Sequence, residues 1–185
     1  MFSAEDRQRL LELLRTHSVL RGDFVLASGQ RSDVYVDARL TTLRAEAMPL
    51  IGRAILNRAL ACDWRIDVVG GLTMGADPVV SAVARESLAL ETPIDGFLVR
   101  KQAKGHGAGK YVEGLGDPAG RRALIVEDTC TTGGSAIQAI ERARDYGLDV
   151  VAAACLVDRE QGGAEALDTV GVEFETIYTL TELLG

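Results

Sequence analysis

The chain has 185 residues, of which 47% are hydrophobic and 25% charged, as expected for one ordinary soluble domain that buries a full core. Its 27 acidic residues outnumber its 20 basic residues, and the net charge of −7 argues against general nucleic-acid binding, which needs a basic face. No apolar run is long enough to span a membrane, no signal peptide is visible, and three scattered cysteines fit neither a disulfide framework nor a zinc cluster. These features predict a cytoplasmic protein.

The hydrophobic pattern predicts strands that alternate with helices. A capping signal formed by Ser3 and Asp6 precedes the first helix, whose leucines recur at helical spacing. Further helices are predicted at 45–60, 76–90 and 133–146, and strands at 24–26, 34–37, 66–69, 96–99, 123–126, 150–157 and 174–178. This order predicts a single α/β domain with a mostly parallel central sheet that helices cover on both faces.

A glycine-rich segment at 101–120 separates two of these strands and holds every lysine of the chain. Of the 20 basic residues, 17 are arginines, and the three lysines are Lys101, Lys104 and Lys110, all within a stretch that we call the basic loop (residues 101–110). Ammonium and guanidinium groups differ in hydration, flexibility and donor geometry. A chance cluster on a solvated loop is the plainer interpretation. The concentration of lysines among glycines favours instead a mobile loop, without stable elements, that takes part in chemistry.

Residues 123–135 are the most informative stretch of the sequence. An apolar strand ends in Glu127 and Asp128, and a loop of hydroxyl residues and glycines then opens a helix. Adjacent carboxylates at the carboxyl end of a parallel strand can accept hydrogen bonds from the vicinal hydroxyls of a ribose, or hold Mg²⁺ through its waters. The turn 131–135 can bind a phosphate with backbone N–H groups, hydroxyls and the helix dipole. One element therefore offers ribose recognition beside monophosphate recognition.

Two other nucleotide-binding motifs are absent from the sequence. No G-x-x-x-x-G-K-[ST] occurs, and no G-x-G-x-x-G follows a strand. A purely structural role, in which the two acids end a strand and the glycines begin a helix, explains any one of these residues but explains the whole constellation poorly.

The same stretch resembles the motif that binds 5-phosphoribosyl-1-pyrophosphate (PRPP) in type I phosphoribosyltransferases, where a hydrophobic strand leads to two acids and a T-x-T-G-G-like loop. The resemblance implies the fold of that family on a single domain, residues 1–185, with a small N-terminal hood at about 1–40 and a flexible catalytic loop at about 101–117. The motif does not name the base that is transferred. It also occurs in regulators that bind PRPP or nucleotides without catalysis.

Three further segments resemble orotate phosphoribosyltransferases. Residues 100–107 match the loop R-K-x-x-K-x-H-G, residues 24–29 match an F-x-L-x-S-G segment of the orotate pocket, and residues 156–159 resemble a late strand whose arginine meets the orotate. The resemblance implies transfer of phosphoribosyl from PRPP to orotate, which gives orotidine 5′-monophosphate and pyrophosphate in pyrimidine biosynthesis. It also implies Mg²⁺ as cofactor and a homodimer in which the basic loop reaches the neighbouring active site.

The resemblance further implies roles for individual residues. The catalytic set is Lys101, Lys104, His106 and Asp128, with His106 or Lys104 as the proton donor. The PRPP-binding residues are Arg100, Lys101, Lys104, His106, Glu127, Asp128, Thr129, Thr131, Thr132, Gly133, Gly134, Ser135, Thr73, Met74 and Gly75. The orotate-binding residues are Ala27, Tyr35, Val36, Thr131 and Arg159, of which Arg159 would pair with the orotate carboxylate. Mg²⁺ would be held mainly by PRPP, with Glu127 and Asp128 contacting it through water.

The sequence departs from the family pattern at three places. Met74 and Ala27 stand where many relatives carry lysines, and Tyr35 with Val36 replaces a pair of aromatic residues. We therefore expect the backbone N–H groups of residues 73–75 to contact the pyrophosphate. A phosphoribosyltransferase for another base and a regulator without turnover are the alternatives. The basic loop argues against the first, and its intact lysines and histidine argue against the second.

Overall fold

The structure of the protein is a computed structural model that describes residues 2–25, 31–90, 93–103 and 111–185. Its helices are α1 (Ala4–His17), α2 (Arg39–Thr42), α3 (Met48–Ala61), α4 (Asp77–Glu86), α5 (Gly134–Tyr146), α6 (Gly163–Asp168) and α7 (Leu180–Leu184), and a 3₁₀ turn covers Ser87–Ala89. Its strands are β1 (Val19–Val25), β2 (Arg31–Val36), β3 (Val68–Leu72), β4 (Asp95–Val99), β5 (Val112–Glu113), β6 (Arg122–Cys130), β7 (Asp149–Asp158) and β8 (Glu173–Thr179). Within these ranges no helix is long and apolar enough to cross a membrane.

The centre of the fold is a six-stranded sheet in the order β5-β4-β3-β6-β7-β8. All neighbouring strands run parallel except β5, which is antiparallel to β4 at the edge. Because the parallel strands share one direction, the carboxyl ends of β3, β4, β6 and β7 lie at the same edge of the sheet. This edge is where ligands bind in open α/β folds.

Helices pack on both faces of the sheet and create two hydrophobic cores. Strand β6 serves both, since Leu124 and Val126 belong to the core beneath α1, α3 and α4, whereas Ala123 and Ile125 belong to the core beneath α5 and α6. All four side chains are fully buried, which is typical of a parallel strand covered on both faces. The predicted architecture, a mostly parallel sheet flanked by helices, is therefore confirmed.

Strands β1 and β2 form a separate antiparallel sheet outside the central one. Val36, the last residue of β2, is buried in the core beneath α1, α3 and α4, so the hairpin is anchored at its base. Residues 26–30, which connect the two strands, lie outside the described residues. The assignment of residues 1–40 as a hood and the single-domain boundaries remain predictions.

The shortest elements are the ones that the sequence does not predict: α2, β5, α6 and α7. They have two to six residues and carry little periodicity of their own, so their contacts with the rest of the fold decide their structure. Strand β5 lies inside the glycine-rich segment in which no stable element was expected, and it forms because buried Val112 pairs with Val99 of β4. The capping signal of α1 is confirmed, since the Asp6 N–H donates to Ser3 Oγ at 3.0 Å.

Candidate active site

Four adjacent strand ends and the end of β2 surround one cavity of about 280 Å³. Its lining comes from the turn after β3, the start of the basic loop after β4, the acidic end of β6 and the residue that follows β7. The residues around it are Tyr35, Val36, Asp37, Ala38, Arg39, Leu72, Thr73, Met74, Gly75, Ala76, Lys101, Glu127, Asp128, Thr129, Thr131, Ser135 and Arg159. Most of the site residues predicted from the sequence therefore lie together.

The two acids at the end of β6 are both shielded from solvent. Glu127 is only 8% exposed, and burial together with the negative charge of Asp128 raises its pKa to about 8, although Lys101 acts in the opposite direction. Burial also raises the pKa of Asp128, against the opposing effects of the Thr129 N–H, which donates to Asp128 Oδ1 at 2.8 Å, and of the Arg39 charge. Neither carboxyl group has a charged partner at contact distance among the described residues, so both are suited to accept hydrogen bonds from ligand hydroxyls.

The turn that follows β3 packs against Asp128. The Thr73 N–H donates to the carbonyl of Val99 at 2.8 Å, which fixes the start of the turn against β4. A Cβ atom at Gly75 would lie only 2.5 Å from Asp128 Oδ1, so a side chain at this position would displace the carboxylate. Met74, which replaces the lysine of many relatives, has a side chain that is 70% exposed. All three residues of the turn line the cavity, and their backbone contact with pyrophosphate stays a prediction.

Residues 131–135 form a second cavity, of about 320 Å³, beside the first. Gly133 adopts a left-handed conformation (φ 77°) that only glycine accommodates readily, and α5 begins directly after it. Among the described residues no N-cap side chain accepts a hydrogen bond from this helix, and its first residues, Gly134 and Ser135, line the cavity. A helix start of this kind, with threonine and serine hydroxyls around it, binds phosphate groups.

Cys130 directly precedes this second cavity, which we call the phosphate cradle (residues 131–135), and serves packing. It is fully buried, and a Cβ at Gly163 would lie 2.4 Å from its Sγ, so α6 approaches closely only because residue 163 is a glycine. Burial raises the pKa of the Cys130 thiol to about 12, which excludes a thiolate nucleophile near neutral pH.

The residue after β7, Arg159, has unused hydrogen-bonding capacity. Its backbone N–H donates to the carbonyl of Cys130 at 2.8 Å, which places the side chain at the cavity. Its Nε atom is buried and has no acceptor within the described ranges. A buried guanidinium N–H without a partner is unfavourable unless a ligand supplies an acceptor, so this group is a strong candidate for a carboxylate or carbonyl of the substrate.

Sequence reasoning missed the residues that follow β2. Asp37 and Arg39 line the cavity and form a bidentate ion pair, in which Arg39 Nε and Nη2 each lie 2.9 Å from an oxygen of Asp37. The pair lowers the pKa of Asp37, and Arg39 places a positive charge near Asp128. An acid two residues before an arginine is a common local pattern, and nothing in the sequence marks this one as part of a site.

The remaining predicted site residues lie in three places. Thr132, Gly133 and Gly134 line the phosphate cradle and not the main cavity. Arg100 lies in a neighbouring cavity of about 350 Å³, which it shares with Thr73 and Lys101, and its Nη1 is 3.4 Å from Glu113 Oε1. Three predicted site residues lie outside the described residues, namely Ala27, Lys104 and His106. All individual roles remain predictions.

Replacing Glu127 with glutamine is expected to stabilise the fold more at pH 8 than at pH 5. The Glu127 pKa is about 8 in the folded chain and near 4.5 in the unfolded chain. Between pH 4.5 and pH 8 the carboxyl group is therefore protonated in the folded state and ionised in the unfolded state. The free energy of unfolding of the unmodified chain therefore falls as the pH rises through this window, by a few kcal/mol at about 1.4 kcal/mol per pKa unit. Glutamine does not ionise, so the free energy of unfolding of the variant does not fall in this way.

Urea denaturation at both pH values measures the effect. Glu141→Gln, on the exposed face of α5, is the matched control and should give the same change in unfolding free energy at pH 5 and pH 8. An equal change for Glu127→Gln at the two pH values would show that Glu127 is ionised in the folded chain.

Comparison with known proteins agrees with this geometry. The family model described as "Phosphoribosyl transferase domain" matches residues 42–179. Orotate phosphoribosyltransferase of Mycobacterium tuberculosis H37Rv is 47% identical over 178 residues, which cover 96% of each chain. The chain belongs to the orotate phosphoribosyltransferase family. The enzyme of this name from Synechocystis is 43% identical over 180 residues, which cover 97% of this chain and 89% of the relative.

A solved structure extends the family relationship to three dimensions. The M. tuberculosis orotate phosphoribosyltransferase in complex with PRPP superposes with a TM-score of 0.81 at 42% identity, over 97% of this chain and 99% of that one. Membership of the orotate phosphoribosyltransferase family therefore confirms the fold predicted for type I phosphoribosyltransferases, and it identifies the chain as an enzyme of this class.

The site fits the weak metal contact expected for this family. Glu127 and Asp128 offer carboxylate oxygens, the ligand type that Mg²⁺ prefers, at the position expected for the ribose. No group of three or more histidine, cysteine, aspartate or glutamate side chains that could hold a metal ion occurs in the described part of the chain. An ion held jointly by a phosphorylated substrate and water-bridged acids is compatible with this donor set.

Proposed function

We propose that the protein transfers the 5-phosphoribosyl group of PRPP to orotate, which gives orotidine 5′-monophosphate and pyrophosphate. A nitrogen of orotate forms a bond to the anomeric carbon of the ribose as the bond from that carbon to the pyrophosphate oxygen breaks. The observation that carries the proposal is that the paired acids, the phosphate cradle, Lys101 and Arg159 all surround connected space at one edge of the sheet.

In this proposal the end of β6 and the start of α5 hold the ribose phosphate. Residues 131–135 bind the 5′-phosphate with backbone N–H groups and hydroxyls, and Glu127 and Asp128 accept hydrogen bonds from the ribose hydroxyls. Asp128 is also a catalytic group, because a carboxylate near the ribose stabilises the positive charge that develops as the anomeric bond breaks.

Positive charge and backbone donors surround the leaving group. Residues 73–75 and Lys101 line the main cavity and not the phosphate cradle, and in this proposal the N–H groups of the turn and the Lys101 ammonium group meet the departing pyrophosphate. Lys104 and His106 add charge from the basic loop, and one of them protonates the pyrophosphate. Arg100 adds a further charge from the neighbouring cavity.

The base lies between β2 and Arg159. Tyr35 and Val36 supply the surface on which the orotate ring packs. The Arg159 guanidinium, whose buried Nε–H has no acceptor in the part of the chain that the structure describes, pairs with the orotate carboxylate. Thr131 contacts the base from the acidic end of β6, and Ala27 from the β1–β2 connection. This arrangement accounts for discrimination between orotate and uracil, since uracil lacks the carboxylate.

The proposal includes three features of the working enzyme. Mg²⁺ is the proposed cofactor: it would be held mainly by PRPP, with Glu127 and Asp128 contacting it through water, and it would neutralise charge on the pyrophosphate. The enzyme is a cytoplasmic homodimer in which the basic loop of one subunit reaches the active site of the other with Lys104 and His106, whereas Lys101, at the start of the loop, acts in the cavity of its own chain. Sedimentation velocity is expected to give the mass of two chains, and a monomer with full activity would contradict the shared site.

The test of this function is the loss of orotate absorbance with PRPP and Mg²⁺, with uracil and adenine as alternative bases. We expect turnover with orotate and none with uracil or adenine. Turnover with adenine would indicate a different phosphoribosyltransferase. PRPP binding without turnover of any base would indicate a regulator.

Replacing Arg159 with methionine tests the contact to the orotate carboxylate. Arg159→Met should reduce kcat/KM for orotate by about 10- to 100-fold, since hydrogen bonds to charged groups contribute about 1.5–3 kcal/mol.

A further inference from the structure

The helix that begins at the phosphate cradle also touches the base of the basic loop, through Arg142. Its Nη1 donates to the carbonyl of Arg100, and its Nη2 donates to the carbonyl of Lys101 at 3.1 Å. Its guanidinium carbon also lies 4.2 Å from the centre of the Tyr111 ring. One side chain therefore contacts both residues that flank the basic loop as well as its first lysine.

The two limbs that Arg142 contacts are themselves paired. The Arg100 N–H donates to the carbonyl of Tyr111 at 2.8 Å, directly beyond the β4–β5 ladder that joins Val99 to Val112. The loop thus leaves the sheet through a two-stranded stem. Arg142 binds the carbonyls of one limb and packs on the aromatic ring of the other, so it fixes the stem on both sides.

The chemistry of these contacts suits a positioning role. A guanidinium group offers two N–H donors in a rigid plane, so two carbonyl contacts constrain the direction as well as the position of the Arg100–Lys101 backbone. The face of the same group stacks over Tyr111, where a cation and an aromatic ring attract each other. A lysine or a neutral side chain cannot make all three contacts at once.

The location of Arg142 on α5 gives these contacts a functional meaning. Helix α5 starts at Gly134 beside the phosphate cradle, and Arg142 follows eight residues later, about 12 Å along the helix axis at 1.5 Å per residue. The phosphate cradle and the stem of the basic loop are therefore held by the same rigid element. The distance between the phosphate of the substrate and the Lys101 ammonium group depends on this connection.

We propose that Arg142 is a positioning residue for the transfer reaction: it holds the stem of the basic loop so that Lys101 faces the leaving pyrophosphate. The inference rests on the proposed role of Lys101 and adds a residue that does not itself reach the cavity. Arg144 offers a matched comparison, since it lies on the same helix and donates to the Val170 carbonyl at 3.1 Å, away from the loop.

The first experiment compares Arg142→Met with Arg144→Met in steady-state kinetics and thermal unfolding. We expect Arg142→Met to lower kcat by at least about tenfold, because misplacement of a catalytic group by 1 Å can cost about 100-fold. The KM for orotate should change by less than about threefold, since the base contacts lie elsewhere. Arg144→Met should keep the kcat of the unmodified enzyme, and both variants should melt at similar temperatures.

The second experiment asks whether Arg142 acts through Lys101. If it does, Arg142→Met should lower kcat by less than about twofold in a chain that already carries Lys101→Ala, because the group to be positioned is gone. A purely structural effect would instead lower kcat by the same factor in both backgrounds. Equal factors, or an Arg142→Met variant with the kcat of the unmodified enzyme, would overturn the inference.

The third experiment does not depend on orotate transfer. Endoproteinase Lys-C cleaves after lysine, and all three lysines of the chain lie in the basic loop, so its rate reports on that loop alone. Arg142→Met should be cleaved at least about fivefold faster than Arg144→Met if the stem is released. Equal cleavage rates would overturn the inference, whereas failure of the unmodified enzyme to use orotate would overturn only the proposed function.

Discussion

Lys101→Ala is expected to abolish most turnover while PRPP still binds. The ammonium group lies at the cavity beside Glu127 and faces the position of the leaving group, so its contribution grows as negative charge develops on the pyrophosphate. Loss of one such preorganised contact costs about 100- to 1,000-fold in kcat. The phosphate cradle and the paired acids remain intact, so the affinity for PRPP should fall far less than kcat.

Kinetics at saturating orotate and PRPP, combined with calorimetric titration of PRPP, separate the two effects. Gln102→Ala is the matched control, because residue 102 is the next position along the chain, is exposed and does not line the main cavity. Near-normal turnover of Lys101→Ala at saturating substrate would refute the role given to this lysine. An equal loss in Gln102→Ala would assign the effect to the backbone of the loop.

Gly75→Ala is expected to reduce kcat/KM for PRPP by about 100-fold, since 1 Å displacements of reacting groups have effects of this size. The new methyl group would lie 2.5 Å from Asp128 Oδ1, well inside contact distance, so the carboxylate must swing away from the ribose position. Only the end of one side chain moves, so the melting temperature should change by no more than about 2–4 °C, the shift that 1 kcal/mol produces in a domain of this length.

Gly116→Ala is the appropriate control for this substitution. No described atom other than its chain neighbours lies within 4 Å of a Cβ placed at residue 116, and that glycine does not require a positive φ. The control should retain full activity. Activity of Gly75→Ala close to that of the control would mean that Asp128 tolerates displacement and is not a catalytic group. A crystal structure of the variant with PRPP would locate the carboxylate directly.

The parts of the site that the sequence predicts are contiguous in the chain. Glu127, Asp128 and residues 131–135 follow one another at the end of an apolar strand, so a local pattern is enough to identify both the acids and the phosphate cradle. Most of the central sheet is predicted for the same reason, because its strands are buried apolar runs between helices with clear periodicity. The boundaries shift by several residues at β1, which begins at Val19.

The parts that the sequence does not predict depend on tertiary contacts. Asp37 and Arg39 enter the cavity only because the β1–β2 hairpin packs beside the central sheet. Gly75 was predicted as a backbone contact to pyrophosphate, but its close approach to Asp128 joins residues 53 positions apart. Arg142 has no local feature that distinguishes it from Arg144, and only the folded chain shows which of the two meets the basic loop.

The short connection between the acids and the phosphate cradle limits the distance between these two parts of the site. Only two residues, Thr129 and Cys130, separate Asp128 from Thr131, so the Cα atoms of Asp128 and Thr131 are never more than about 11 Å apart at 3.3–3.6 Å per residue. Cys130 is fully buried against α6, so it cannot move without disrupting the core. In the roles proposed above, the acids and the phosphate cradle therefore bind the hydroxyls and the phosphate of one pentose at a fixed separation, and we expect a longer sugar phosphate not to contact both.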